Sequence, residues 1–357
     1  LLRRAAASHA DARLQDLRTQ SGTALTAAWD GLHMEQWRGV EGVWRTLYTV
    51  AGRLRAAGVV EGGGDLREAL RVLDMVLMLG GPHGQEATFD MIAGIEARLE
   101  VRGGKRVCVG DGVVPPPPPP PAAAAAGAPG GGGSIPRARL PALDTFLRCH
   151  MVPRVPVVVL GGMDRWPAVG KVDPRRWWGR MDYLRGVGGH RTVPVEVGRH
   201  YMAEEWGSSL MTLGEFIDGH VGGGGGAGAT AYLAQHPLFD QIPELRRDII
   251  TPDYCALVDD ADPGAHQGGG EVATNAWFGP GGTISNLHQD PYHNLLCQVV
   301  GAKRIRLYDP AHGELLYPHP GLMSNTSQVA VEAPDGDKFP RFKEAPFVEC
   351  VLEAGEM

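Results

Sequence analysis

Apolar positions change their period along the chain. From residue 1 to about 102 they recur at three- and four-residue steps, the spacing of one helix face. Trp37, Val40, Trp44, Leu47 and Tyr48 form one such stripe. Leu66, Leu70, Leu73, Val76 and Leu77 form a second, better punctuated one. Asp65 can cap it, Glu68 stands where a capping box needs it, and Gly80 with Gly81 stops it. A third helix is expected from Glu86 to about Arg102. The Arg/Ala/Ser-rich opening, Leu1 to Ser8, reads as a frayed helix start in preference to the tail of a transit peptide. The Met and Trp residues of this half read as core, and no catalytic constellation stands out in it.

Residues 103–139 lose the pattern. Pro115 to Pro121 is an unbroken proline run, followed by Ala122 to Ala126 and Gly130 to Gly133. Polyproline is stiff and the glycine tail flexible, so neither builds a core, and a spacer is expected. From about residue 140 short apolar runs alternate with turn signals. Strands are expected around Val155–Leu160, Val193–Val197, Ala273–Phe278, Asn294–Val300, Lys303–Tyr308 and Phe347–Leu352. Gly222 to Gly226 and Gly268 to Gly270 read as loop insertions. The chain is therefore expected to be α+β: a helical N-terminal domain over 1–102, a linker over 103–139, and a barrel or sandwich over 140–357.

Composition narrows the function. The 51 Gly and 28 Pro are concentrated locally and show no Gly-X-Y period, which excludes collagen. The longest apolar run is too short to span a membrane. A net charge of −7 argues against a generic nucleic-acid binder. The 5 Cys are scattered, with no CxxC pair, so a reducing compartment fits better than a disulfide scaffold or a Cys-based zinc site.

The chemistry is concentrated in Asn275 to Pro291. In a strand, His288 and Asp290 point to the same side and can grip one metal ion. A third ligand from elsewhere would complete a two-His-one-carboxylate face, the arrangement that suits non-haem Fe(II). His9-Ala10-Asp11 has the same pattern but lies in helical sequence, where residues two apart diverge. The motif alone leaves a hydrogen-bonded strand histidine as open as a metal ligand. A second feature lies in Lys303 to Tyr308. Lys303 shares a face with Ile305 and Leu307, while Arg304 and Arg306 share the other. Lys303 thus points toward the core, where an ammonium needs an anionic partner, either a ligand carboxylate or a protein one. Asn294, in phase with Leu296 and Gln298, can also touch a ligand.

With these stretches, and with Val193 to Trp206, Tyr232 to Tyr254, Gln298 to Pro318 and Asn325 to Val329, the sequence resembles the JmjC-domain Fe(II)/2-oxoglutarate oxygenases. Within them it is similar to the jumonji-domain-containing-protein-five, or lysine demethylase eight, subgroup. The resemblance implies a double-stranded β-helix, the cupin-like JmjC barrel, with flanking helices. It implies Fe(II) on His288 and Asp290, and 2-oxoglutarate on Tyr232, Ser285, Asn294 and Lys303, with Trp277 lining the pocket. Ser285 is out of phase with His288 in a regular strand and would need a bulge. Glu196, Trp206 and Gln235 are similar to residues that hold a substrate arginine, although Glu196 reads equally as a solvated strand residue and Gln235 as a structural one. The implied reaction consumes O2 and 2-oxoglutarate and hydroxylates an arginine of a protein substrate, or demethylates histone methyl-lysine. No membrane or direct nucleic-acid partner is implied, and the implied address is nuclear, with the cytoplasm second.

The family's second iron histidine follows a stretch like Leu352-Glu353-Ala354-Gly355-Glu356, and this sequence stops at Met357. The expectation is a C-terminally truncated barrel from an incomplete gene model, with weak iron binding and poor turnover as written. Two other functions compete: a non-catalytic protein or chromatin interaction module on a degenerate barrel, and a cupin-like metal isomerase. Lys303 and Asn294 speak against the first, and the Tyr232-to-Tyr254 segment against the second.

Overall fold

The computed structural model describes residues 2–33, 42–103, 133–198, 206–221, 230–259 and 272–357. Trp37 and Val40 of the first stripe, the proline run and both glycine insertions lie outside them. The N-terminal half is helical: α1 (Leu2–His33), α2 (Gly42–Glu61), α3 (Leu66–Leu79) and α4 (Gln85–Gly103). No helix among the described residues is long and apolar enough to cross a membrane.

The caps of α3 follow from its sequence. Asp65 is extended and its carboxylate accepts the Arg67 N–H, while the Gly80 N–H donates back to the Val76 carbonyl. The expected return bond from Glu68 is not made. Glu68 instead pairs with Arg55 at 2.9 Å, a charge-assisted bond that outcompetes a neutral backbone donor. Leu66, Ala69, Leu70 and Leu73 pack with Ala56 and Val59 of α2 and with Ile92 and Ile95 of α4. Val76 joins Ala28, Leu32 and Tyr48 in a neighbouring cluster. Gly52 lets α2 and α3 approach closely, since a methyl there would collide with Val76.

Asp74 is the charged residue among those α3 buries. A buried carboxylate needs a charged, hydrogen-bonded partner. Arg191 supplies it: Nε and Nη2 donate to Asp74 Oδ1 at 2.9 and 2.6 Å, and the Thr192 N–H donates to Oδ2 at 2.7 Å. These residues share a compact unit, because Gly188–Val195 and Leu210–Gly219 cluster with the N-terminal helices. The stretch expected to form the barrel thus lends two short segments to the helical unit.

Most strand residues belong to the second unit, with Thr192–Val195 and Leu210–Thr212 in the first. β1 (Gly133–Ser134) lies parallel to β9 (Phe347–Glu353), and β9 is antiparallel to β8 (Ala302–Tyr308), from Ala302 opposite Glu353 to Tyr308 opposite Phe347. β2 (Arg137–Arg139) runs parallel to β3 (Val158–Leu160). A four-stranded sheet has the order β5-β4-β6-β7, with β4 Thr192–Val197, β5 Gly207–Thr212, β6 Ala231–His236 and β7 Ala276–Phe278. Ile135, Val158 of β3 and Leu352 of β9 form a core cluster with Leu160, Leu296 and Ile305. A second cluster, Val329, Phe339 and Phe342, packs beside Leu287 and Tyr308.

Two expectations change. Residues 133–139, expected to be linker, form β1 and β2 and bury Ile135, because β9 and β3 offer them ladder partners. Residues 294–300, expected to be a strand, are not one. Their pairing is a single bridge from Gln298 to Glu356, and an apolar run without a continuous neighbour makes no ladder.

Candidate active site

β4 and β6 place Glu196 directly opposite Tyr232. Tyr232 is buried, and its hydroxyl oxygen accepts a hydrogen bond from Lys303 Nζ at 3.0 Å. The same ammonium lies 5.7 Å from the Tyr232 ring centroid, within cation–π range. Strand alternation explains how Lys303 arrives there. Ile305 packs into the core beside it on β8, while Arg304 and Arg306 turn to Glu349 on β9. Leu307, expected inward, is 39% exposed.

Among the described residues, no carboxylate lies within ion-pair distance of Lys303. A phenol is its partner. An ammonium has three donors and a phenol one, so two N–H groups and the Tyr232 O–H remain available after their mutual bond. Such a donor set, carrying one positive charge, is complementary to a carboxylate.

Glu196, Trp206, Thr230, Tyr232, Thr283 and Ile284 border a small cleft. Trp206 Nε1–H donates to Glu196 Oε2 at 3.3 Å, and both residues line the cleft together with Thr283 and Ile284.

The same segment runs on to a second cluster. His288 forms a bridge with Thr326, Gln289 N–H donates to the Asn325 carbonyl at 2.9 Å, and Ser327 N–H donates to the Leu287 carbonyl at 2.8 Å. These bonds fix the backbone. The His288 Nδ1 lies 2.6 Å from the Asn286 carbonyl oxygen. A carbonyl only accepts, so Nδ1 carries a proton, and in the neutral ring Nε2 is then the nitrogen with the lone pair, the tautomer a metal ligand requires. That Nε2 is 3.8 Å from Asp290 Oδ1, and Asn294 Nδ2 donates to Asp290 Oδ2 at 3.3 Å. His288 and Asp290 therefore do share a side, although only His288 forms a bridge.

For Fe(II) the donor types fit, but the set is short. Among the described residues, no group of three or more His, Cys, Asp and Glu side chains is placed to hold a metal ion. His288 and Asp290 are two donors of the types a facial triad uses, and among the described residues no third one stands beside them.

Three expected site residues join neither cluster. Ser285 is exposed, outside any regular strand, so its phase relative to His288 has no bearing. Trp277 stands 39% exposed on β7. Gln235 is exposed at a register shift between Leu233 and His236, with φ of 48°. Left-handed backbone at a bulged, non-glycine position re-aims a side chain at some cost in strain. Sequence reasoning missed Thr230, Thr283 and the Asn286 carbonyl. Thr283 lies within the Asn275–Pro291 stretch; for Thr230 and a backbone oxygen there was no sequence signal.

Comparison with known proteins identifies the family. A family model described as a cupin-like domain matches residues 142–357, and one described as KDM8-like N-terminal ARM repeats matches residues 4–105. The chain belongs to the cupin-like JmjC family, whose members are 2-oxoglutarate-dependent oxygenases. It is 37% identical to the lysine-specific demethylase 8 of Danio rerio, over 92% of this chain and 79% of that protein. It is 37% identical to the lysine-specific demethylase JMJ30 of Arabidopsis thaliana, over 94% and 79%. It is 38% identical to the Jumonji C domain-containing protein 5 of Drosophila melanogaster, over 62% and 53%. The fold is the cupin type, preceded by an all-helical ARM region.

Proposed function

We propose that this chain is a protein oxygenase that takes 2-oxoglutarate on Lys303 and Tyr232 and a substrate arginine at Glu196 and Trp206. The observation that carries the reading is Lys303: a half-buried ammonium that meets a phenol and keeps donors available for a ligand carboxylate. His288 and Asp290 are assigned to Fe(II), Ser285 and Asn294 to the cosubstrate, Trp277 to the pocket wall and Gln235 to the substrate. Bound Fe(II) supplies the activation of O2 that couples 2-oxoglutarate decarboxylation to substrate oxidation. The residues of this chain orient the partners. Asn286 holds the His288 ring, Asn294 holds the Asp290 carboxylate, and Glu196 holds the substrate.

Arginine hydroxylation is favoured over methyl-lysine demethylation by the acceptor. A carboxylate matches a guanidinium fork, whereas a methylated ammonium has few or no N–H donors left to give it. Trp206 adds an indole face for the same cation. Relatives named as lysine-specific demethylases, and a more distant human relative named a bifunctional peptidase and lysyl hydroxylase, support a protein side chain as the substrate. They also support a nuclear site of action, with the cytoplasm second.

The test is mass spectrometry of arginine-bearing and methyl-lysine-bearing peptides incubated with the chain, Fe(II), 2-oxoglutarate and O2. Gain of one oxygen on arginine is expected. Loss of a methyl group from lysine would replace the proposed reaction. The two-donor metal set favours a second reading, a protein-binding module. Peptide binding with no modification of either kind would put that reading first.

A further inference from the structure

Gly279 closes β7 in the run Trp277-Phe278-Gly279-Pro280. Its backbone is not left-handed, so conformation does not call for glycine there. Space does. A methyl on Gly279 would lie 2.7 Å from Tyr232 Cδ2, 3.1 Å from Thr283 Cγ2 and 3.3 Å from the Ala231 carbonyl oxygen. Carbon atoms in contact rest at about 3.5–4.0 Å. The Tyr232 ring is buried and tied to Lys303 through its hydroxyl, and the pairing of Leu233 with Phe278 holds the two backbones together. The added methyl could be accommodated only by moving the ring. Gly281, two residues on, is a useful contrast, with nothing within 4 Å of an added Cβ and no left-handed φ.

We infer that Gly279 is a positioning residue. Its missing side chain is the socket in which the Tyr232 ring rests, and that seat sets the distance between the Tyr232 hydroxyl and Lys303. Because Thr283 also contacts the added methyl and borders the same cleft as Tyr232, the socket sets the spacing of those two side chains as well. The inference rests on the reading of Lys303 and Tyr232 as the 2-oxoglutarate carboxylate site, but the seat itself can be tested without that ligand.

The experiment compares the full chain with its Gly279→Ala and Gly281→Ala variants in two measurements. The first is a double-mutant cycle on urea midpoints between Tyr232→Phe and Lys303→Met. Coupling is expected in the parent and in Gly281→Ala, and none in Gly279→Ala. Equal coupling in all three overturns the inference. The second is a titration with 2-oxoglutarate. Gly279→Ala is expected to raise its Kd, and its KM where turnover is seen, by at least about tenfold at unchanged kcat, with Gly281→Ala within about twofold of the parent. A parent that binds no 2-oxoglutarate defeats the functional reading, and the cycle then judges Gly279 alone. If Gly279→Ala fails to fold, the Tyr232→Ala background, which removes the ring, must tolerate the methyl. A Gly279→Ala/Tyr232→Ala chain that also fails to fold, while Tyr232→Ala folds, overturns the inference.

Discussion

Replacing Asp74 tests how much stability one buried charge pair commands. Asp74 is fully buried and the Arg191 side chain is 2% exposed. Arg191 gives Asp74 two bonds, at 2.9 and 2.6 Å, and the Thr192 N–H gives a third at 2.7 Å. Breaking such a pair leaves an uncompensated buried guanidinium, which costs about 3–5 kcal/mol. Asp74→Asn keeps one oxygen to accept from Arg191, and Glu96 Oε1 stays 3.7 Å from Nη1, so the cost belongs at the lower end, about 3 kcal/mol. Asp74→Ala keeps no acceptor and belongs near about 5 kcal/mol. At about 2–4 °C per kcal/mol, Asp74→Asn lowers Tm by roughly 6–12 °C. Urea unfolding followed by far-ultraviolet circular dichroism reports the helical unit directly. The double variant Asp74→Leu/Arg191→Met removes both charges and should return to within about 2 kcal/mol of the parent, the remainder being the lost Thr192 contact. The reasoning is refuted if Asp74→Asn costs less than about 1 kcal/mol, or if the double variant is as unstable as Asp74→Ala.

Burial raises the Glu349 carboxyl, but hydrogen bonds and charge from Arg304 and Arg306 outweigh it and hold the group below its ordinary value of 4.5. A depressed carboxyl stabilises the fold above its unfolded pKa and loses that contribution as pH falls through the folded one. The Tm gap between the parent and Glu349→Gln should therefore be present at neutral pH and close below pH 4.5; a gap that widens in acid would reverse the sign. Burial, reinforced by Cys255, pushes the Cys297 thiol up to about 12. Iodoacetamide at mildly alkaline pH should label exposed Cys149 in the folded chain and reach Cys297 only after unfolding, as peptide mass spectrometry will show. Asp65→Ala removes the α3 cap and should cost about 1 kcal/mol in the same urea assay, with Asp65→Asn close to neutral.

What could be read in advance followed locality. The α3 stripe, its Asp65 cap and its Gly80 stop lie within one short segment, so pattern alone located the helix. Lys303 could be placed on the inner face of β8 by alternation. Its partner Tyr232 lies 71 residues away and came from family resemblance, not spacing. Asp74 and Arg191 are 117 residues apart and gave no signal, since an isolated Asp on an apolar helix face looks like a surface residue until its counter-ion is found. Strands failed for the same reason. Ile135 sits among Gly, Ser and Pro, yet 133–139 pairs because β9 and β3 accept it, whereas the more apolar 294–300 makes, among the described residues, a single bridge to Glu356. Strand formation is a property of the partner as much as of the segment. In the site, the HxD spacing located His288 and Asp290, but the Asn286 carbonyl that sets the imidazole tautomer is a backbone atom and has no signature in the sequence.

The central claim is that Lys303 and Tyr232 form a carboxylate site, and isothermal calorimetry with 2-oxoglutarate on the parent chain and on Lys303→Met tests it most directly. The account predicts saturable binding to the parent, weakened by at least about tenfold in Lys303→Met. Equal affinity in the two chains, or no binding to either, would contradict it.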